Sequence, residues 1–128
     1  MSLSHFGDFY YRLKKFTEAE SQYLHALKVD EPRSDKNDFS ISYDAERLGR
    51  LYLDWGKYQD SATYYQRVVE LDGKQYGAAD PRLLNKLQIL TDLMRKLNRP
   101  VEAAQYEARH KEIIDHQIAI NSAGSQSK

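Results

Sequence analysis

The residues best suited to metal chemistry lie near the carboxyl end: His110 and His116, with Glu112 and Asp115 between them. Imidazole and carboxylate are ligand types that divalent metals take, and histidine titrates close to neutral pH. The spacing argues against a shared ion. On a helix a six-residue step turns a side chain by about 600°, or ~240° net, so the two imidazoles point apart. Together with Lys111 they suit instead the negative end of a helix dipole. No glycine-rich phosphate loop, nucleophile elbow or HExxH arrangement occurs. Absence of cysteine removes thiol catalysis, disulfides and cysteine-based zinc sites together. Carboxylates that fall near one another on helices are expected by chance in a chain with 30% charged residues, and an acid–base pair also needs a pocket. The chain therefore reads as non-enzymatic, with no cofactor and no metal.

Lysine plus arginine and aspartate plus glutamate each total 19, a formal net charge of zero. Nucleic-acid and membrane-surface binders usually need a net basic footprint, so neither partner is expected. No apolar run approaches the roughly 18 residues of a spanning helix, and the first residues lack the basic-then-apolar order of a signal peptide. Cysteine-free chains suit the cytoplasm and the periplasm alike; the cytoplasm is favoured here. At 128 residues and 41% hydrophobic content the chain can bury a core and should form one domain. Met1-Ser2-Leu3 opens almost directly into a repeat, as a fragment of a longer protein would.

The elements that would position any site are set by one recurring pattern. Leu48-Gly49-x-x-Tyr52, Gly56-Lys57-Tyr58 and Ser61-x-x-x-Tyr65 follow Phe6-Gly7-x-x-Tyr10, Lys14-Lys15-Phe16 and Ala19-x-x-x-Tyr23 by 42 residues. Another 42 residues on, the pattern fades to Leu90-Thr91-x-x-Met94, Asn98-Arg99-Pro100 and Ala103. A repeat of this period implies stacked helical units, none able to bury its apolar face alone. With no sustained alternating run, strands are not expected. Thr17-Glu18-Ala19-Glu20 has the form of a capping box, predicting a helix from about Glu18 to Val29 that Glu31-Pro32 ends. Residues 33–37 read as a loop. Asp38 offers an N-cap for a helix to Trp55, closed by Gly56 as a left-handed cap. The next helix should run from Tyr58 or Gln59 to Leu71, stopped by Asp72-Gly73. Asp80-Pro81 then caps a helix to Leu97, with Leu84, Leu87, Leu90, Met94 and Leu97 on one face. A last helix should reach about Ile118, and residues 121–128 have the composition of a flexible tail. The repeats are thus about 3–37, 38–79 and 80–118, within a domain spanning 1–120.

The order Leu48-Gly49, Tyr52, Gly56, Tyr58, Ser61, Tyr65 on paired helices resembles the tetratricopeptide repeat, over roughly residues 3 to 118. Small Gly7, Gly49, Ala19, Ser61 and Ala103 let helices approach, while Tyr10, Tyr52, Phe16 and Tyr58 fill the space beside them. The standard repeat is about 34 residues long. A period of 42, and the linker Tyr76-Gly77-Ala78-Ala79-Asp80-Pro81, look like the extended repeats of the kinesin light chain class. Where such repeats often carry a cargo-binding asparagine this chain has His5, Arg47 and Ile89. The clamp of lysine and asparagine that holds a terminal carboxylate in other members of the family is also absent: Ser4, Asp8, Arg47, Asn85 and Ile89 stand there.

The resemblance implies an all-α, right-handed superhelix of three helix pairs that binds a protein or peptide in its concave groove. Its first helices would line that groove. The implied contact residues are Ser4, Asp8, Tyr11 and Arg12, then Tyr43, Glu46, Arg50, Leu53 and Asp54, then Asn85, Gln88, Asp92, Arg95 and Lys96. Tyrosine and arginine are common interface anchors. The competing reading is a solvated helix face with internal pairs such as Glu46–Arg50 and Asp92–Arg95. Trp55 and Tyr65 read as core, and Tyr64 as a side chain on another face. In the third repeat Glu107, His110 and Lys111 replace Tyr65, Val68 and Val69, as a polar C-terminal cap would require. Leu3, Phe6, Phe9 and Tyr10 carry no such rewrite, so the N-terminal face is the expected place for further repeats or a homodimer contact. The alternatives to groove binding are accordingly an oligomerisation or assembly element using that face, or the regulatory part of a larger protein.

Overall fold

Small and aromatic residues at helical spacing, with few prolines, leave the helix as the element that can bury these side chains. The computed structural model describes residues 3–31 and 39–126, and among them every regular element is helical. These are α1 (Leu3–Arg12), α2 (Phe16–Asp30), α3 (Phe39–Trp55), α4 (Tyr58–Tyr76), a 3-10 turn (Pro81–Leu83), α5 (Leu84–Lys96) and α6 (Pro100–Gln126). The chain divides into two compact units, Met1–Val68 and Val69–Lys128, and the division falls inside α4. In the first, α2 packs against both α1 and α3, around Ala19, Tyr23, Leu27, Leu48, Leu51 and Tyr65. In the second, α5 packs against α6, around Leu83, Leu87, Leu90, Leu93, Met94 and Ile113.

The 42-residue period is written in the backbone. Lys14, Gly56 and Asn98 all have positive φ, at 57°, 81° and 57°. At each, the amide of the following residue returns to the carbonyl five residues before it. These bonds are Lys15 N to Tyr10 O at 2.9 Å, Lys57 N to Tyr52 O at 2.8 Å and Arg99 N to Met94 O at 2.8 Å. They are the same left-handed corner used three times to end a first helix. Gly56 was expected in that role. Lys14 and Asn98 take it without glycine's freedom, because the packed helices on either side dictate where the chain must turn.

Close approach explains two further glycines. A Cβ on Gly7 would lie 2.5 Å from Cδ1 of Tyr23, and one on Gly49 would lie 2.9 Å from Cδ2 of Tyr65. Ser61 fixes the second contact by donating its hydroxyl to the Gly49 carbonyl at 2.7 Å. In the third repeat the ring is replaced by Glu107, and the glycine by Thr91. Thr91 is buried and donates its hydroxyl to the Leu87 carbonyl at 2.8 Å.

Several local expectations are corrected. The capping box at Thr17 does not form: α2 begins at Phe16, and its cap residue Lys15 makes no side-chain bond to the helix. The corner at Lys14 delivers the chain straight into the helix, with Ala19 N already bonded to the Lys15 carbonyl at 3.0 Å. Asp72-Gly73 does not stop α4, which runs to Tyr76 and ends at Gly77, where φ is 104°. An interior glycine costs a helix only about 1 kcal/mol, so Gly73 is tolerated within α4. On α5 the buried set is Leu87, Leu90, Thr91, Leu93 and Met94, preceded by buried Leu83 in the 3-10 turn, with Leu84 and Leu97 only half-buried. Asp80 does cap its turn, Oδ1 accepting from Arg82 N at 2.9 Å. The last helix continues past Ile118 to Gln126, its residues 118–124 all exposed. The expected loop at 33–37 and the Asp38 cap lie outside the described residues.

Candidate functional site

Helices α1 and α3 carry the side chains that the resemblance assigns to binding, and the structure sorts them into two groups. One group is tied inward. Ser4 is buried and donates to Asp44 Oδ1 at 2.7 Å, so it holds α1 to α3 and offers no surface. Asp8 accepts from the buried Tyr23 hydroxyl, stands 3.6 Å from Arg47 Nε and receives the Tyr43 hydroxyl at 3.5 Å. Arg47 in turn donates to Tyr43 Oη at 2.9 Å and lies over its ring, 4.5 Å from the centroid. Burial, with the Asp8 carboxylate adding to it, pushes the Tyr23 phenol far up, so it remains a donor at any physiological pH. This network joins α1, α2 and α3 by charge-assisted bonds. Arg47 is its hub and was not among the candidate contacts. The four-residue step from Tyr43 to Arg47 was the signal available for it.

The second group faces outward. The Tyr11 hydroxyl donates to Asp54, and the Arg50 guanidinium lies 5.2 Å above the Tyr11 ring. Burial raises the Tyr11 pKa, the bond to Asp54 adds to the rise, and Arg50 opposes it. Beside this triad is a shallow hollow of about 540 Å³ lined by Tyr11, Arg12, Lys14, Phe16 and Asp54. An aromatic face, a planar guanidinium and a carboxylate within one small area can hold an amide group from both its donor and acceptor sides. Of the other candidates in this unit, Arg12 is exposed, while Glu46 and Leu53 are half-buried. Arg50 itself is engaged by stacking on Tyr11.

In the second compact unit Asn85 and Lys96 are exposed. Gln88 donates to Asp92 at 3.2 Å, and Arg95 lies 3.9 Å from Asp92 and 2.5 Å from Glu107. The expected Asp92–Arg95 pair is therefore present, but Glu107 of α6 is the nearer partner. Exposed pairs of this kind contribute roughly 0–1 kcal/mol.

The core expectations for the aromatics hold in part. Tyr65 is buried, and burial pushes its pKa up to about 12. Trp55 is only half-buried, set between Phe16 at 5.6 Å and Tyr52 at 6.3 Å, with Lys57 Nζ 3.8 Å above its ring. Tyr64 is half-buried, stacked on Tyr52 at 5.7 Å. Among the described residues no group of three histidine, aspartate or glutamate side chains comes together, and no helix is long and apolar enough to cross a membrane.

Paired helices turned at a left-handed corner, with a glycine facing an aromatic ring across each of the first two pairs, define a helical-repeat protein. The family model for the tetratricopeptide repeat matches residues 1–74, more than half of the chain, and the protein belongs to the tetratricopeptide repeat family. Such repeats generally mediate protein–protein interaction and are non-enzymatic. No curated protein matches the chain in sequence.

Proposed function

We propose that this protein is an interaction module that holds a peptide or partner helix on the face formed by the first helices of its repeats, with Tyr11, Arg50 and Asp54 as the anchor. The observation that carries the reading is the triad itself, half-buried at Tyr11 and exposed at Arg50 and Asp54. Tyr11 and Asp54, on two helices and 43 residues apart along the chain, line a hollow large enough for a side chain, and Arg50 stacks on Tyr11 beside it. Asp8 and Ser4 serve the same face from beneath, by holding α1 and α3 at fixed separation. The reading includes a right-handed superhelix whose concave side this face would be. The 42-residue period and the linker from Tyr76 to Pro81 support placement among the extended repeats of the kinesin light chain class.

Arg50→Glu and Tyr11→Ala should each abolish capture of a partner from lysate while leaving the melting temperature within a few degrees of the parent. Neither side chain is buried, so loss of folding is not the expected route. Capture that survives both substitutions would place the binding surface elsewhere.

A further inference from the structure

The hollow beside Tyr11 holds more positive charge than the fold uses. Arg12 and Lys14 line it, both exposed, and Arg50 stacks on the Tyr11 ring next to it. Among the described residues these three cations take part in no ion pair. Asp54, which supplies the carboxylate of the lining, accepts from the Tyr11 hydroxyl. Three positive charges against one negative leave a local excess of two. Lys14 is also an unusual residue for its place. Its φ of 57° is a conformation that strains a side chain. One and two periods later the same corner is made by Gly56 and Asn98, residue types that adopt it more readily. Packing fixes the backbone there, but glycine serves it at Gly56, so packing does not call for a lysine. Strained residues of this kind gather where a side chain meets a ligand. What Lys14 adds to the corner is an ammonium in the wall of the hollow.

We infer that this hollow receives a phosphorylated side chain of the partner peptide, with Arg12, Lys14 and Arg50 donating to the phosphate. The inference rests on the reading of the Tyr11–Asp54 face given above. Charge selects phosphate over carboxylate. A phosphomonoester carries about −1.5 to −2 at pH 7 and three strong acceptor oxygens, which matches the excess of two. A carboxylate brings a single charge and leaves one of the two unmet. Guanidinium forks and an ammonium are the donors that phosphate takes best. The Tyr11 ring and the half-buried Phe16 give the apolar stem of such a side chain a surface to lie on. The whole chain has no net charge, so the excess is local. It suits one phosphate group and not the run of phosphates along a nucleic acid.

The test presents the full chain to immobilised degenerate peptide pools with a central phosphoserine, phosphothreonine or phosphotyrosine, and to matched pools with glutamate or the unmodified residue. Saturable retention is expected on at least one phosphorylated pool, roughly tenfold or more tighter than on its glutamate and unmodified counterparts. Lys14→Gly should weaken that retention roughly tenfold. The same substitution relieves the corner and should raise the melting temperature, so the loss cannot come from unfolding. Arg12→Gln should weaken retention by a similar factor. Absence of saturable retention, equal retention on the glutamate pool, indifference to Lys14→Gly, or equal affinity for single-stranded DNA overturns the inference. A partner captured through Tyr11 and Arg50 equally well from phosphatase-treated and untreated lysate also overturns it, while the reading of the face stands. Capture and retention that both survive Tyr11→Ala and Arg50→Glu remove that reading and the inference together.

Discussion

Gly49 should resist a methyl group for one identifiable reason, and removing that reason should reverse the sign of the effect. In a helix interior glycine to alanine gains about 1 kcal/mol from backbone propensity alone. Here the new Cβ would lie 2.9 Å from both Cδ2 and Cε2 of Tyr65. The ring cannot swing clear, being 3% exposed, and the helices cannot part without breaking the Ser61–Gly49 bond of 2.7 Å. Overpacking of this sort costs about 1–3 kcal/mol, and so tight a contact belongs at the upper end. Gly49→Ala should therefore destabilise by roughly 2 kcal/mol, the difference between about 3 lost and about 1 gained. For an m-value near 2 kcal/mol/M that loss moves the urea midpoint down by about 1 M. In a Tyr65→Leu background the obstructing ring is gone, and Gly49→Ala should instead stabilise by up to about 1 kcal/mol, a coupling of roughly 3 kcal/mol. The third repeat already carries such a pair, with Thr91 and Glu107 in place of glycine and tyrosine. Urea titrations followed by far-ultraviolet circular dichroism on the four members of the cycle provide the measurement. A neutral or stabilising Gly49→Ala in the Tyr65 protein, or a cycle that closes without coupling, would refute the argument.

Gly73 provides the opposite case: it is helical, and a Cβ there meets nothing within 4 Å, so Gly73→Ala should raise the urea midpoint by the equivalent of about 0.5–1 kcal/mol. At the corners, Gly56→Ala should cost about 1 kcal/mol or more and Lys14→Gly should gain a comparable amount, because a side chain at positive φ is strained; thermal melts of each variant suffice. Stability should also fall at alkaline pH. Tyr23, Tyr52 and Tyr65 have pKa values raised above 10.0, each first by burial, Tyr65 to about 12. Above about pH 10 the unfolded chain releases protons that the folded chain retains, so the contribution is intact below that pH and declines as pH rises toward the folded values. Urea midpoints at pH 9 and 11 should show the decline, and Tyr52→Phe should reduce its slope.

The helix pairs were legible because the pattern that encodes them is local and repeated. Small residues at 7, 49 and 19, aromatics at 10, 23, 52 and 65, and the left-handed cap at Gly56 could each be assigned from spacing and residue type. Where local signals were weak, packing overrode them. Thr17 lost its cap to a corner already formed at Lys14, and Gly73 lost its stop to Gly77, where the backbone turns left-handed. The candidate surface was less legible still. Ser4 and Asp8 looked like equals of Tyr11 in the sequence, yet they bond across to residues 40 and 15 positions away and are spent on holding helices together.

The sequence by itself determined the all-α repeat, its 42-residue period and the corner at Gly56, since periodicity, small residues and a glycine cap are properties of short segments. Only the tertiary structure decided which polar side chains remain for a partner. That outcome depends on distances between side chains on different helices, as with Arg50 above Tyr11 and Arg47 beside Asp8. No spacing along the chain encodes those distances, because they follow from how α1, α2 and α3 pack.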